Sequence, residues 1–255
     1  MSEPACQVTE DAFLGGKLRL RQPKSGHRAG HDAMLLAAAT PAHPGDCVVD
    51  FGAGVGAAGL AVASRVSGIK LVLAEIDEAL VEMARSNATA NAIAAEALVL
   101  DVTASAERFA SAGLGPDSAD VVLMNPPFND ACRHRTSPDK AREMAHVAAA
   151  ETLERWIHAS RRILKSGGNL VMIWRAEGIA QTLAALGRGF GGLMILPVHA
   201  NAASPAIRVL VRATKGGRAP TRLLAGLVLN DQAGRPTPQA SRILTGEGLL
   251  PLAIT

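Results

Sequence analysis

The sequence predicts an α/β protein with one doubly wound, Rossmann-like domain around a mostly parallel, seven-stranded sheet. Apolar, strand-like runs end at four polar residues, Asp50, Glu75, Asp101 and Asn125, at intervals of 25, 26 and 24 residues. One strand and one crossover helix take about that length in a parallel sheet. The Gly-rich segment 52–59 follows the first strand, where glycines permit a tight turn and close approach of the backbone to a ligand. Regular spacing and the Gly-rich turn together indicate a ligand crevice at the carboxyl ends of the strands.

The remaining elements follow in chain order. Four core strands are expected at residues 47–50, 70–75, 97–101 and 119–124. A fifth strand at 169–174 and a helix at 178–187 precede an antiparallel edge hairpin made of residues 193–198 and 207–212. We predict a single domain of residues 1–255, with a cofactor-binding core at 45–212 between a short N-terminal addition, 1–44, and a short C-terminal extension, 213–255.

The N-terminal addition and the C-terminal extension show weaker secondary-structure patterns. Residues 18–32 indicate a short strand, a basic turn with two glycines, and Asp32 at the start of an apolar helix. In the extension, the apolar run 223–229 is a candidate further strand, and 240–244 is a candidate short helix.

The fourth core strand ends in Asn125-Pro126-Pro127-Phe128. Two successive prolines continue neither a sheet nor an ordinary helix start, and each restricts the residue before it. The elbow therefore holds the Asn125 amide, the Pro126 carbonyl and the Phe128 ring in fixed relation. These groups suit methyl transfer to an exocyclic NH2: two acceptors take its hydrogens and free the lone pair, while the ring stacks on the base. Asn125, Pro126 and Phe128 are therefore the candidate catalytic residues.

The Gly-rich loop by itself leaves two ligands open. Gly52, Gly54 and Gly56 could cradle a dinucleotide pyrophosphate, with Glu75 on the ribose. Hydride transfer gives no reason for the proline elbow, however. The loop and the elbow together favour a nucleotide-like methyl donor.

With these motifs, residues 45–175 resemble class I S-adenosylmethionine-dependent methyltransferases whose Asn-Pro-Pro-aromatic motif directs methylation to amines. The resemblance implies that the Gly-rich loop passes under the methionine part of S-adenosylmethionine. It also implies that Glu75 holds the ribose hydroxyls, that Asp101 and Val102 meet the adenine, and that S-adenosylhomocysteine is the product. The implied cofactor-binding residues are Gly30, Asp32, Asp50, Gly52, Gly54, Gly56, Glu75, Ile76, Asp101, Val102 and Asn125.

The N-terminal segment indicates a resemblance to a more specific family. Gly30-His31-Asp32 before an apolar helix is similar to the bacterial family that methylates N6 of an adenine beside the anticodon of a valine tRNA. That resemblance implies a cofactor contact for Asp32, whereas the plainer alternative makes Asp32 a helix N-cap. His27 and His31 have the spacing of a metal pair, but neighbouring glycines indicate a loop, so we expect no metal.

Positive charge is clustered although the net charge is only +3. Residues 12–31 and 205–222 carry five basic residues each and no acidic residue, and 133–142 is also basic. If these segments share a face, they form a phosphate-binding surface; the alternative is a set of solvated loops. The candidate RNA contacts are Arg28, Arg133, Arg135, Lys215 and Arg218. Aromatic content is only 3%, so a single ring would hold a single flipped base.

Composition favours a cytoplasmic enzyme. No apolar run approaches a membrane span, the N-terminus has no signal-peptide pattern, and the three cysteines lack metal or redox spacing. The sequence thus predicts an S-adenosylmethionine-dependent methyltransferase acting on adenine N6 of tRNA, with no membrane partner. The alternatives are N5-methylation of a protein glutamine and an inactive cofactor-binding module. A glutamine enzyme usually carries a helical docking domain, for which about 45 preceding residues leave little room.

Overall fold

The computed structural model describes residues 8–24, 28–127, 138–187 and 189–254, with only the backbone described for 138–149. The helices are α1 (His31–Ala39), α2 (Ala57–Arg65), α3 (Glu78–Ala90), α4 (Ala106–Ser111), α5 (Pro138–Ile163), α6 (Ile179–Leu186) and α7 (Pro238–Leu244). The strands are β1 (Val8–Phe13), β2 (Leu18–Pro23), β3 (Cys47–Phe51), β4 (Lys70–Glu75), β5 (Ala95–Val99), β6 (Ala119–Met124), β7 (Leu164–Arg175), β8 (Phe190–Asn201), β9 (Ala206–Lys215), β10 (Arg222–Leu223) and β11 (Leu227–Asn230).

The central sheet has the strand order β10-β8-β9-β7-β6-β3-β4-β5, and β11 also pairs with β8. Strands β3 to β7 run parallel, and β9 runs antiparallel to both β7 and β8. The predicted α/β class and its seven core strands are confirmed. The two short strands of the C-terminal extension lie beyond β8, so the antiparallel hairpin does not form the outermost edge.

At β3 the chain reverses the direction in which it adds strands to the sheet. From β3 it proceeds through β4 to β5, then returns to place β6 on the other side of β3. In open α/β sheets, ligands bind above the carboxyl ends of the strands at such a switch point. The Gly-rich loop follows β3 and the proline elbow follows β6, so topology brings both motifs to this point.

Both faces of the sheet are covered. Val48 and Val49 are adjacent in β3 and both fully buried; Val48 packs with α1, α2 and α3, and Val49 with α4, α5 and α6. A strand buried on both faces is apolar at successive positions rather than alternate ones. This explains why the core strands are visible in the sequence as short, continuous apolar runs.

Three boundaries differ from the sequence prediction. Strand β5 ends at Val99, so Asp101 lies two residues beyond the strand it was expected to close. Helix α5 begins at Pro138, within residues 129–140, which the sequence predicts to be a loop because they combine turn formers and charge without an apolar period. Strand β1 was not predicted; it pairs with β2 in a separate antiparallel hairpin, which we call the N-terminal hairpin. In its sequence, VTEDAF, acidic residues hide the alternation of a half-buried strand.

The C-terminal extension packs against α1. The backbone N–H of Leu250 donates to the carbonyl of Ala38 at 2.9 Å. The Arg212 guanidinium donates to the carbonyl of Leu252 at 2.6 Å. Among the described residues, no helix combines the length and apolar character required to cross a membrane.

Candidate active site

A cavity of about 310 Å³ lies at the carboxyl ends of β3 and β6. It joins three segments that are distant in sequence: the start of α1, the Gly-rich loop and the elbow. Its lining comprises Arg28, Ala29, Gly30, His31, Asp32, Ala33, Leu36, Asp50, Gly52, Ala53, Gly54, Val55, Ala57, Ala58, Leu80 and Asn125. Tertiary structure therefore brings together much of the site expected from the sequence.

The start of the Gly-rich loop is fixed to β4. The backbone N–H groups of Gly52 and Ala53 both donate to the carbonyl of Ala74, at 2.8 and 3.1 Å. Gly52 has φ +64°, and a Cβ there would overlap the ring of Trp156. Trp156 is buried in the core. Glycine at position 52 thus allows the loop to turn while α5 packs beneath it.

The middle of the loop is open toward the cavity. Gly54 has φ +56°, and a Cβ at this position would meet no atom within 4 Å. Its N–H donates to Glu75 Oε2 at 2.9 Å. A wall of bare backbone with free space beside it fits a ligand that approaches the main chain closely.

Glu75 is buried, and each of its two carboxylate oxygens accepts hydrogen bonds from backbone N–H groups. Besides Gly54, its other oxygen, Oε1, accepts hydrogen bonds from the N–H groups of Ile76 (2.7 Å) and Asp77 (3.1 Å). The side chain of Glu75 is not among those lining the cavity. Its predicted contact with ribose hydroxyls therefore requires lone pairs not already used by these three N–H groups.

Asp50 is a buried carboxyl in the cavity lining, with 3% exposure. Its Oδ2 accepts a 2.8 Å hydrogen bond from the N–H of Gly59. Burial raises the pKa of Asp50 to about 7; the negative charge of Glu75 adds to this effect, and the Gly59 hydrogen bond opposes it. The site thus contains one carboxyl that changes charge near neutral pH.

Asn125 follows β6 and contributes to the cavity lining. Its Oδ1 is buried and has no hydrogen-bond partner among the residues that the structure describes. Buried acceptors without a partner are uncommon in folded proteins, because each costs desolvation free energy. The next residue, Pro126, is buried, whereas Pro127 is exposed, and Phe128 lies outside the described residues. The elbow therefore presents an acceptor suited to a ligand N–H.

The segment before α1 is fixed to the N-terminal hairpin. The Arg28 guanidinium donates to Thr9 Oγ1 (3.0 Å), the Pro23 carbonyl (2.9 Å) and Asp11 Oδ2 (2.6 Å). Arg28 is thus engaged within the protein while it lines the cavity. The structure gives it a scaffolding role that the sequence did not predict.

Asp32 does not cap α1. The N-cap is Gly30, without a side-chain hydrogen bond, and Asp32 lies in the first turn. Its Oδ2 accepts a 2.9 Å hydrogen bond from Nε of Arg208 in β9. This ion pair fixes Asp32 in the cavity lining, so the plain N-cap alternative is wrong.

The predicted cofactor-binding residues Ile76, Asp101 and Val102 also lie outside this cavity. Ile76, after β4, is 63% exposed, and Val102 is buried beside α5. The Asp101 carboxylate turns back onto its own loop, where Oδ1 accepts from the N–H (2.7 Å) and hydroxyl (2.8 Å) of Thr103. Among the described residues, no group of three or more His, Cys, Asp or Glu side chains could hold a metal ion.

Two of the predicted RNA contacts are far from the cavity. Because β9 is antiparallel to β7, Arg208 lies at the carboxyl end of β7, and Lys215 lies at the opposite end of the sheet. Lys215 donates to the carbonyl of Leu164 and pairs with Asp117, and Arg218 follows as an exposed residue. The structure does not bring Lys215 and Arg218 together with the site. Arg133 and Arg135 lie outside the described residues.

The site edge instead contains two arginines that sequence reasoning did not select. Arg175, at the end of β7, is the cross-strand partner of Arg208. Arg175 is paired with Glu177 at 3.1 Å, and its Nε has no hydrogen-bond partner among the described residues. Each of the two arginines is paired with a carboxylate, Arg175 with Glu177 and Arg208 with Asp32, so positive and negative charges are interleaved at this edge. The Arg175–Arg208 pair could be recognised only from the antiparallel register of β9.

Comparisons with known proteins agree with this geometry. The family model "Methyltransferase small domain" matches residues 29–198. A curated relative, tRNA1(Val) (adenine(37)-N6)-methyltransferase of Flavobacterium psychrophilum, is 31% identical over 162 residues, which are 63% of this chain and 67% of the relative. The chain spans 35–67% of the length of the first curated relatives it matches.

Solved structures show the same fold. The predicted O-methyltransferase Atu636 of Agrobacterium tumefaciens has a TM-score of 0.72 and 33% identity, covering 86% of this chain and 98% of that one. The 16S rRNA N2 G1207 methyltransferase of Thermus thermophilus, in complex with AdoMet and guanosine, has a TM-score of 0.57 and 21% identity, covering 83% and 51%. By their names, these proteins act on different acceptors: an adenine of tRNA, a hydroxyl group and a guanine of 16S rRNA.

Proposed function

The chain belongs to the methyltransferase small domain family, and on that premise we propose that it methylates an exocyclic nitrogen, namely N6 of an adenine in tRNA. The cofactor is S-adenosylmethionine, which supplies an electrophilic methyl group. The protein's own residues would bind and orient the acceptor amine beside it.

The unpartnered Oδ1 of Asn125 in the cavity lining is the observation that carries this proposal. An amine nitrogen conjugated with a base ring is a poor nucleophile. If Asn125 Oδ1 and the Pro126 carbonyl accept its two hydrogens, its lone pair is released from the ring. The elbow fixes these acceptors before substrate binds. Their hydrogen bonds to the nitrogen therefore strengthen in the transition state without any rearrangement of the protein.

Residues in and beside the cavity fit S-adenosylmethionine. The open backbone at Gly54 accommodates close approach of a ligand. Asp50, when ionised, provides a carboxylate for an ammonium group, and Glu75 provides one at the end of β4 for hydroxyl groups. Ile76 exposes an apolar side chain directly after Glu75, as stacking on an adenine ring requires. The roles of Asp101 and Val102 remain predictions from the resemblance.

Two observations favour RNA as the acceptor. The curated relative named above is a tRNA adenine-N6 methyltransferase. The arginine pair Arg175 and Arg208 lies at the carboxyl end of β7, which is the amino end of the antiparallel strand β9, and β7 adjoins β6, the strand that Asn125 follows. A flipped base in the cavity would bring its own backbone phosphates near this edge. RNA binding by Arg133 and Arg135, which follow the elbow, is part of the same proposal.

The test uses S-adenosylmethionine labelled in its methyl group. The purified protein is incubated with bulk tRNA, ribosomal RNA, DNA or total protein from a strain lacking the gene, in parallel with Asn125→Ala. We expect label in tRNA and N6-methyladenosine after nuclease digestion, with none from the variant. Label in total protein, recovered as N5-methylglutamine, would replace the RNA proposal with the glutamine alternative. Cofactor binding without transfer to any fraction would contradict an enzymatic role.

A further inference from the structure

We propose that Asn87 in α3 is a positioning residue that fixes the two walls of the cofactor cavity relative to each other through the N-terminal hairpin. One wall is the Gly-rich loop, and the other is the segment before α1. The inference rests on the proposed function only in taking S-adenosylmethionine or S-adenosylhomocysteine as the ligand of this cavity.

Asn87 is fully buried, with 0% exposure, and all of its hydrogen-bonding groups are used. Its Oδ1 accepts from the N–H of Arg21 at 2.8 Å. Its Nδ2 donates to the carbonyl of Arg21 and to the carbonyl of Val55, both at 3.0 Å. One amide therefore joins strand β2 of the hairpin to the Gly-rich loop, without solvent around it.

The bond to Val55 secures the part of the loop that β4 does not hold. The loop start is bound to Ala74, and Gly54 is bound to Glu75, both in β4. Val55 lies between two residues in left-handed conformations, Gly54 and Gly56. Because such glycines adopt many conformations, an additional fixed acceptor there restricts the loop on the side facing α3.

The same strand also fixes the opposite wall. Gln22, next to Arg21 in β2, is buried, and its Oε1 accepts from the N–H of Ala29 at 3.0 Å. Arg28 donates to the carbonyl of Pro23 at 2.9 Å. Val55, Arg28 and Ala29 all line the cavity. A continuous hydrogen-bonded path thus runs from one wall through Asn87 and β2 to the other.

Asn91 provides a matched control one helical turn away. Its side chain bonds to β2 in the same way: Oδ1 accepts from the N–H of Arg19 at 2.9 Å, and Nδ2 donates to the carbonyl of Arg19 at 2.7 Å. Its third hydrogen bond goes to the carbonyl of Asn87 within α3, at 2.8 Å. Among the residues that the structure describes, Asn91 docks the hairpin but makes no hydrogen bond to the loop, so it separates hairpin docking from loop positioning.

The experiment measures S-adenosylhomocysteine binding by calorimetry for wild type, Asn87→Ala and Asn91→Ala, each confirmed as folded by circular dichroism. We expect Asn87→Ala to weaken binding by about 3- to 10-fold, as loss of one oriented hydrogen bond implies, and Asn91→Ala by less than about twofold. Hydrogen exchange should become faster at residues 52–56 in Asn87→Ala alone. Both variants should lower the melting temperature.

Equal affinities for the two variants, or equal exchange at residues 52–56, would overturn the proposal. If Asn87→Ala does not fold, Asn87→Asp keeps the acceptor for Arg21 N–H but loses the bonds donated to the carbonyls of Arg21 and Val55, and we expect it to reproduce the weaker binding. If neither Asn87 variant folds, Asn87 is required for folding rather than for positioning the cavity walls, and the proposal is overturned. If wild type does not bind S-adenosylhomocysteine, the proposed function is contradicted. The hydrogen-exchange comparison at residues 52–56 would then still test the link between Asn87 and the Gly-rich loop.

Discussion

The backbone N–H of Gly59 donates a 2.8 Å hydrogen bond to Oδ2 of the buried Asp50. Gly59 lies in the first turn of α2, so the bond ties the end of β3 to the start of the helix after the Gly-rich loop. A side chain at position 59 would overlap Leu73 and crowd the same carboxylate oxygen. Asp50 is therefore both part of the cavity and part of the contact that shapes it.

The raised pKa of Asp50 predicts a pH-dependent stability. Burial raises this pKa from 3.8 to about 7, so between these values the folded protein holds a proton that the unfolded chain releases. The stability contribution is present below the unfolded pKa and is lost as pH rises through the folded pKa. We expect the unfolding free energy of the ligand-free protein to fall across this window in urea titrations. Asp50→Asn should flatten the fall; an unchanged slope would contradict the assignment.

Asn125→Ala should remove methyl transfer and leave cofactor binding nearly intact. A preorganised acceptor that acts mainly in the transition state typically contributes about 10²–10³ in rate. Single-turnover rates with tRNA give the rate loss, and calorimetry with S-adenosylhomocysteine gives the control. Turnover at the wild-type rate would refute the role of the amide.

Glu75→Ala should weaken S-adenosylmethionine and S-adenosylhomocysteine alike. The variant loses a charged acceptor, worth about 1.5–3 kcal/mol, and releases the N–H of Gly54 in the loop. We expect affinities lower by roughly tenfold to a hundredfold in calorimetry. Glu75→Gln, which keeps one acceptor oxygen, should be less affected. Unchanged affinity, or tight binding of NAD by wild type, would exclude the assigned role.

Arg175→Gln should weaken tRNA binding, whereas Arg218→Gln should not. Both changes remove one positive charge, but Arg175 is at the carboxyl end of β7 and Arg218 follows β9 at the opposite end of the sheet. Each lost phosphate contact should reduce the salt dependence of binding by about one unit. Titrations of tRNA at several salt concentrations measure this slope. A larger effect for Arg218→Gln would move the RNA surface to the far edge of the sheet.

The sequence predicted the core strands because the physical signal is local. A strand buried on both faces, such as the one containing Val48 and Val49, is apolar at successive positions rather than alternate ones. The elbow was equally clear, since two prolines after Asn125 restrict the backbone whatever surrounds them. Strand β1 was missed because three of its six residues, Thr9, Glu10 and Asp11, are polar and consecutive, and only its pairing with β2 defines it.

What the sequence determined by itself was the α/β class, the order of the core elements, and the Gly-rich loop and elbow at strand ends. Tertiary structure alone decided which charged and polar residues meet. Arg208 pairs with Asp32 across 176 positions and faces Arg175, whereas Lys215, seven residues later, lies at the other end of the sheet. Asn87 joins a strand and a loop 66 and 32 positions away. Such contacts depend on strand direction and register, which local composition does not encode.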